Sequence, residues 1–257
     1  MGVVVPWPAL VLRAVAAVSA LADLALPMSC ASCGAADERL CPPCLADMRA
    51  CLWADGPRPV APNPAPTGLP VTFSAGRYDG ALSRTVSAYK DDGRRDCRPV
   101  LGEILAVSLQ AALGQPPLAH HLRDGGPVLV VPVPTSRAAR RRRGDAPLEA
   151  LARAACAGFT TAEVRPVAVL RPRRRVEDQA GLSAARRAVN LEHSMQVRGR
   201  SEMLVAGAAC ILVDDVLTTG ATLVEAARAL RSGGAREVMA ATICATQRRA
   251  RASAARP

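Results

Sequence analysis

Two neighbouring carboxylates, Asp214 and Asp215, are followed at once by a run of hydroxyls around a glycine, Thr218-Thr219-Gly220-Ala221-Thr222. The two halves ask for different chemistry. Carboxylates repel phosphate and welcome hydroxyls or a cation. A glycine admits positive φ and lets backbone approach a ligand closely. Threonine hydroxyls beside the free N–H groups of a helix start form an anion site suited to phosphate. A ligand with a polyol at one end and a phosphate at the other satisfies both, and ribose 5-phosphate is such a molecule.

The flanking residues supply the elements that must hold these groups. Ile211-Leu212-Val213 reads as a strand buried on both faces, as in a parallel sheet, with the acidic pair at its carboxyl end. A helix is expected from about Ala221 to Arg231, stopped by Ser232-Gly233-Gly234. Rival acidic or phosphate sites lack their other parts. A receiver domain needs a lysine after a later strand, and the chain's one lysine is Lys90, upstream. The P-loop pattern and the early Gly-x-Gly-x-x-Gly of a dinucleotide fold are both absent.

A second anion site follows another apolar strand, Val128 to Val133. There Pro134-Thr135-Ser136-Arg137 runs into Arg140-Arg141-Arg142-Arg143-Gly144. Guanidinium forks match phosphate oxygens, so hydroxyls and arginines at a strand end suit pyrophosphate. Thr135, Ser136 and Arg137 lie nearest the strand; a solvated basic face is the alternative. Asp145 would cap a helix from Pro147 to Ala157. Val164 to Leu170 reads as a further strand. The polar stretch after it, Arg171 to about Asn190, contains Gln179-Ala180-Gly181-Leu182-Ser183 and is long enough to suggest a functional loop.

Metal chemistry is written near the N-terminus. Cys30-Ala-Ser-Cys33 and Cys41-Pro-Pro-Cys44 are two paired-cysteine knuckles. Together Cys30, Cys33, Cys41 and Cys44 offer a closed four-sulfur site, which makes the expected Zn²⁺ structural. A redox role or a chance pairing is the alternative. So small a segment has little core, and metal would supply much of its folding free energy. The remaining cysteines are scattered, and nine is an odd count, which points to a reducing cytoplasm and not to a disulfide framework.

Composition sets the frame. The 257 residues are 50% hydrophobic but only 2% aromatic, so the core is built on Ala, Val and Leu. The net charge of +11 suggests anionic partners, phosphorylated substrate or nucleic acid. Scarce aromatics argue against base-stacking platforms, and the preference for arginine over lysine reads as compositional bias. No uninterrupted apolar window reaches 18 residues, so no membrane span is expected.

In order, the chain reads as an N-terminal helix (1–26), a cysteine-knuckle segment (27–54), a proline-rich connector (55–70), an α/β domain (71–246) and a basic tail (247–257). A signal peptide is the competing reading of residues 1–26, but no positive charge precedes the apolar run. Within the domain, strands are expected at Val71–Tyr78 and Glu237–Cys244. Helices are expected at Gly80–Tyr89 and Pro99–Leu113, with Tyr89-Lys90-Asp91-Asp92-Gly93 as a polar turn. Lys90 reads either as a phosphate contact or as a surface lysine.

Ile211–Leu223 resembles, without a gap, the phosphoribosyl-pyrophosphate (PRPP) signature of type I phosphoribosyltransferases. The whole chain resembles the ComF family, which joins an N-terminal cysteine knuckle to that fold. The polar turn at Lys90 and the run Gln179–Ser183 are similar to ComF segments. The resemblance implies a parallel sheet flanked by helices and a small zinc knuckle. It implies that Asp214 and Asp215 hold the ribose hydroxyls and act in catalysis. Leu217, Thr218, Thr219, Gly220, Ala221 and Thr222 would wrap the 5′-phosphate, and Thr135, Ser136 and Arg137 the pyrophosphate. Gln179, Gly181, Leu182 and Ser183 would belong to a closing loop. It further implies Mg²⁺ with PRPP, pentosyl (glycosyltransferase) chemistry with pyrophosphate release, and a link to DNA uptake in competence. The alternative is a non-catalytic nucleotide- or single-stranded-DNA-binding module that meets a competence helicase, or a scaffold whose site is a relic. Where many relatives continue Arg-Gly-Phe-Asn-Gln, this chain has Arg143-Gly144-Asp145-Ala146-Pro147.

Overall fold

The computed structural model describes residues 28–134, 146–159, 164–173 and 193–247. Its centre is a six-stranded sheet in the order β1-β2-β8-β7-β3-β4. The strands are β1 (Arg58–Val60), β2 (Thr72–Arg77), β3 (Val128–Pro132), β4 (Val164–Pro166), β7 (Ala209–Leu217) and β8 (Glu237–Ala245). All neighbours run parallel except β1, which pairs antiparallel with β2. β1 lies inside the proline-rich stretch, where an outer-edge strand tolerates prolines that a central strand would not.

The continuous apolar runs are explained by helices on both faces. Ile211 and Val213 enter one core cluster; Cys210 and Leu212 enter the other, as strand alternation requires. The first face is covered by α1 (Pro42–Cys51), α2 (Gly80–Asp91), α3 (Arg98–Leu113), α4 (Pro116–Arg123) and α5 (Pro147–Cys156). A Cβ on Gly102 of α3 would sit 3.0 Å from the Cβ of Ala154, so glycine there permits the close approach of α3 and α5. The second face is covered by α7 (Ala221–Ser232), with Leu223, Ala226, Ala227 and Leu230 buried.

Several expected elements differ from the structure. The strand read at Val164–Leu170 is two strands in two sheets. β4 ends at Pro166; Val167 N–H makes a last bond to the Val130 carbonyl at 2.9 Å, and the chain turns into β5 (Leu170–Pro172). β5 pairs antiparallel with β6 (Met195–Val197) as a separate two-stranded sheet. Arg171 and Pro172, expected in a loop, therefore lie in a strand. The short helix α6 (Glu202–Val205) follows β6. α4 and β6 were not anticipated. α5 begins at Pro147 after Ala146, which makes no side-chain cap; Asp145, the expected cap, lies outside the described residues, as do 1–26 and the tail from 248.

The two-stranded sheet is fastened to α7 by one buried carboxylate. Glu225 accepts the Met195 N–H at 2.8 Å and the Arg228 guanidinium at 2.7 Å, while Arg228 also donates to the Met195 carbonyl at 2.8 Å. A charge so buried is tolerated because its oxygens are hydrogen-bonded. Among the described residues no helix is long and apolar enough to cross a membrane.

The cysteine segment packs directly on this domain. Cys30, Cys41, Cys44, Met48 and Cys51 belong to the same core cluster as α2 and α3. Asp47 of α1 accepts the Ala81 N–H at 2.8 Å in the first turn of α2 and pairs with Arg84 at 3.1 Å.

Candidate functional site

The sheet order fixes where a ligand fits. β3 connects through α5 to β4 on one side, while β7 lies on its other side. This is a topological switch point, where open α/β sheets bind ligands beyond the strand ends. β3 ends with Pro132 opposite Val213, whereas β7 continues to Leu217 beside β8. The acidic pair thus lies inside β7, not just after it as expected, but still at the carboxyl edge of the neighbouring β3. β8 explains the extra length, because its register carries β7 on through Val216↔Cys244 and Leu217↔Ala245.

Asp215 meets α2 through Lys90. Lys90 Nζ lies 3.2 Å from its Oδ1 and 2.9 Å from its Oδ2. Backbone amides also bind the pair: Asp215 N–H donates to Asp214 Oδ1, and Val216 N–H to Asp215 Oδ1, both at 2.9 Å. Burial and the neighbouring charge of Asp215 push the Asp214 carboxyl up to about 8, against the opposing pull of Lys90.

This shift has a stability consequence. In the unfolded chain Asp214 ionises near 4, whereas the fold keeps its proton until about pH 8. Below pH 4 both states are protonated and the group contributes nothing. Between pH 4 and 8 the native state binds more protons, so stability falls as pH rises, and above 8 the loss is complete. Asp214→Asn, which mimics the protonated carboxyl, is expected to stabilise the protein increasingly from pH 5 to 8 and evenly above that. The gain should reach on the order of a few kcal/mol. Urea melts at pH 5, 7 and 9 check this; a gain that does not grow with pH would contradict it.

The hydroxyl-rich turn is built as its residues suggest. Gly220 has φ of 77°, and a Cβ there would lie 2.9 Å from Leu69 Cδ1 and 3.3 Å from Pro66 Cγ. α7 starts immediately after it without a side-chain cap, which leaves first-turn amides for an anion. Thr218 is exposed, and Thr219, Ala221 and Thr222 are partly buried. Leu217 is 2% exposed and points into the core; its carbonyl accepts from Thr246 N–H at 2.9 Å, so only its backbone could serve a ligand.

A cavity of about 740 Å³ opens between this turn and the proline-rich segment, lined by Thr218, Thr219 and Ala221 on one side and Trp53, Arg58 and the prolines 59–66 on the other. Arg58 lies 4.3 Å over the Trp53 ring, a cation–π contact that holds a guanidinium at the cavity wall. Arg231 Nη1, from the last turn of α7, donates to the Gly68 carbonyl at 3.0 Å and ties the segment to that helix. A second cavity, about 600 Å³, is lined by Arg173, Gln196, Glu202 and Arg228 and by neither the acidic pair nor the hydroxyl-rich turn. The strap, Arg58 and the Glu225 fastening were not read from the sequence.

The four cysteines converge. Sγ atoms of Cys30, Cys33, Cys41 and Cys44 all lie within 4.8 Å of one another, with Cys33 and Cys41 at 3.6 Å. Four sulfurs at about 2.3 Å from zinc stand about 3.8 Å apart, so the cluster fits that ion closely. Cys41 N–H donates to Cys30 Sγ at 3.4 Å. Burial opposes a Cys30 thiolate, but backbone hydrogen bonds from Cys41, Cys33 and Ser32 bring its pKa to about 6. At Cys41 an amide bond from Cys44 works downward, while burial and the adjacent thiols prevail and push it up to about 12. Four crowded sulfurs holding some protons are what a dication would discharge.

Thr135, Ser136, Arg137, Gln179, Gly181, Leu182 and Ser183 lie outside the described residues. The remaining expected site residues are gathered at two places, the carboxyl end of β7 and the cysteine cluster.

Residues 140–256 match the family model for the phosphoribosyl transferase domain. The match spans the acidic pair and the hydroxyl-rich turn, and the mostly parallel sheet flanked by helices is the architecture expected of that domain. Comparison with curated proteins gives no match. Among solved structures, the chain is similar to glutamine PRPP amidotransferase from B. subtilis complexed with ADP and GMP, at 21% identity and a TM-score of 0.33, covering 58% of this chain and 26% of that one. It is also similar to a structure described as the allosteric regulatory enzyme of purine biosynthesis, at 22% identity and a TM-score of 0.34, with the same coverage. The chain spans about a quarter of the length of either.

Proposed function

We propose that this protein binds PRPP with Mg²⁺ and transfers its phosphoribosyl group to an acceptor, releasing pyrophosphate. The observation that carries the reading is the placement of an acidic pair at the switch point, directly before a glycine turn and an uncapped helix start that line a cavity. Asp214 and Asp215 take the ribose 2′- and 3′-hydroxyls, and Thr218 to Thr222 take the 5′-phosphate. β3 runs out beside Val213, which favours Thr135, Ser136 and Arg137 as pyrophosphate ligands. Gln179, Gly181, Leu182 and Ser183 then belong to the segment that covers the site and excludes water.

In the reaction, the C1′–oxygen bond to pyrophosphate breaks with its electron pair leaving on pyrophosphate. The acceptor's lone pair forms the new bond at C1′, and the acceptor's proton passes to solvent or a base. When bound with PRPP, Mg²⁺ would supply charge neutralisation on the leaving group. The protein contributes by positioning and electrostatics, its carboxylates beside the developing ribosyl cation. The four-cysteine cluster holds a structural Zn²⁺. The resemblance to ComF proteins supports a cytoplasmic role in the handling of incoming DNA.

Incubation with Mg²⁺–PRPP and a panel of bases and amines should release pyrophosphate above the rate of PRPP alone for at least one acceptor. PRPP binding without release for any acceptor would overturn transfer and favour the non-catalytic binding module.

A further inference from the structure

We propose that Lys90 is a positioning residue for the ribose site, holding Asp215 in one orientation from the last turn of α2. The proposal rests on the PRPP reading for its ligand, but its geometry is independent of it. Lys90 is the one lysine among 33 basic residues. Its ammonium reaches both oxygens of Asp215 across 125 residues of sequence. The Lys90 side chain is 47% exposed and Asp215 only 14%, so the lysine leans inward onto the less accessible partner.

A half-exposed ion pair contributes little to stability. This one has a different setting, because a second carboxylate lies one residue away. Two adjacent carboxylates facing a phosphorylated ligand would repel it and each other. An ammonium on one of them removes most of that repulsion without occupying the other. Asp215 then has two donor groups, Lys90 Nζ and Val216 N–H.

The fold holds the lysine in place. Tyr89, 3% exposed, donates from its hydroxyl to the Pro147 carbonyl at 2.8 Å, pinning the last turn of α2 to α5. Arg95 stacks 5.0 Å from the Tyr89 ring. At the other end, Asp47 from α1 fixes the first turn. Burial opposes the charge on Lys90, but Asp215, Asp214 and Asp91 outweigh it and raise its pKa. Among the described residues Cys244 of β8 also faces this pair, its thiol pushed up by burial and by Asp215. A compact ammonium suits this position; a planar guanidinium would need different room.

Calorimetric titration of full-length protein with Mg²⁺–PRPP, at pH 6.5, 7.5 and 9, tests the proposal on wild type, Lys90→Met and Lys90→Arg. Carboxyl-carbon NMR of Asp215 in the ligand-free protein supplies a readout that needs no ligand. Lys90→Met should weaken binding roughly tenfold or more and should displace the Asp215 carboxyl-carbon resonance. Lys90→Arg should fall between, and thermal melts should show both variants folded. Wild-type binding with an unchanged Lys90→Met affinity and pH profile would overturn the role of Lys90 and leave PRPP binding standing. If the wild type binds no PRPP, the functional reading fails instead. The carboxyl resonance then decides: an Asp215 signal unaffected by Lys90→Met refutes the positioning role, and a displaced one supports it.

Discussion

Stripping metal from the four-cysteine cluster is expected to lower the melting temperature by on the order of 10 °C and to weaken PRPP binding in the same step. The first effect follows from the poverty of the segment's own core. Residues 28–41 carry no helix or named strand and depend on Cys30 and Cys41 for burial. α1 contributes Met48 and Cys51 to the shared core. Without a dication, the sulfurs must protonate or separate, and each route loosens that packing. The second effect follows from contact. Asp47 anchors the start of α2, and Lys90 at its end meets Asp215. Elemental analysis of the purified protein should find one zinc per chain. Cys41→Ala and prolonged chelation should both reduce stability. Metal-free protein with an unchanged melting curve would show that the cluster is not structural.

The parts of the fold that were legible from sequence are those fixed by neighbours in the chain. Ile211-Leu212-Val213 and Val128–Val131 announced buried parallel strands because both faces of each are apolar. Gly220 announced the turn because the conformation there, φ 77°, excludes most other residues. The cysteine cluster was legible from spacing alone. What escaped depends on distant partners. β5 and β6 are three residues each and exist through pairing with one another and through Glu225, 30 residues from Met195. Pro116 and Pro117 look like breakers, yet they open α4, where a first-turn N–H is dispensable. The strap of residues 58–69 over the start of α7 gave no local sign beyond its prolines. Lys90 was singled out by being the only lysine, but nothing in the sequence tied it to Asp215.

The largest functional effect is expected at the acidic pair itself. Asp214→Ala/Asp215→Ala removes the acceptors for two ribose hydroxyls and leaves Lys90 facing no carboxylate on β7. Hydrogen bonds to charged groups contribute about 1.5–3 kcal/mol each, so loss of both corresponds to roughly a hundredfold or greater fall in affinity. The fold should survive, because burial disfavours a charge on Asp214 and the partner of Asp215, Lys90, is half-exposed. The hydroxyl turn would remain, so residual affinity should resemble that for a phosphate alone.

Isothermal titration of the wild-type protein with PRPP in excess Mg²⁺, set beside the same titration of the double alanine variant, tests PRPP binding at the end of β7 most directly. Saturable binding at one site per chain, lost or weakened at least a hundredfold in the variant, is the predicted result. No binding by folded wild type, or equal binding by both proteins, would contradict it.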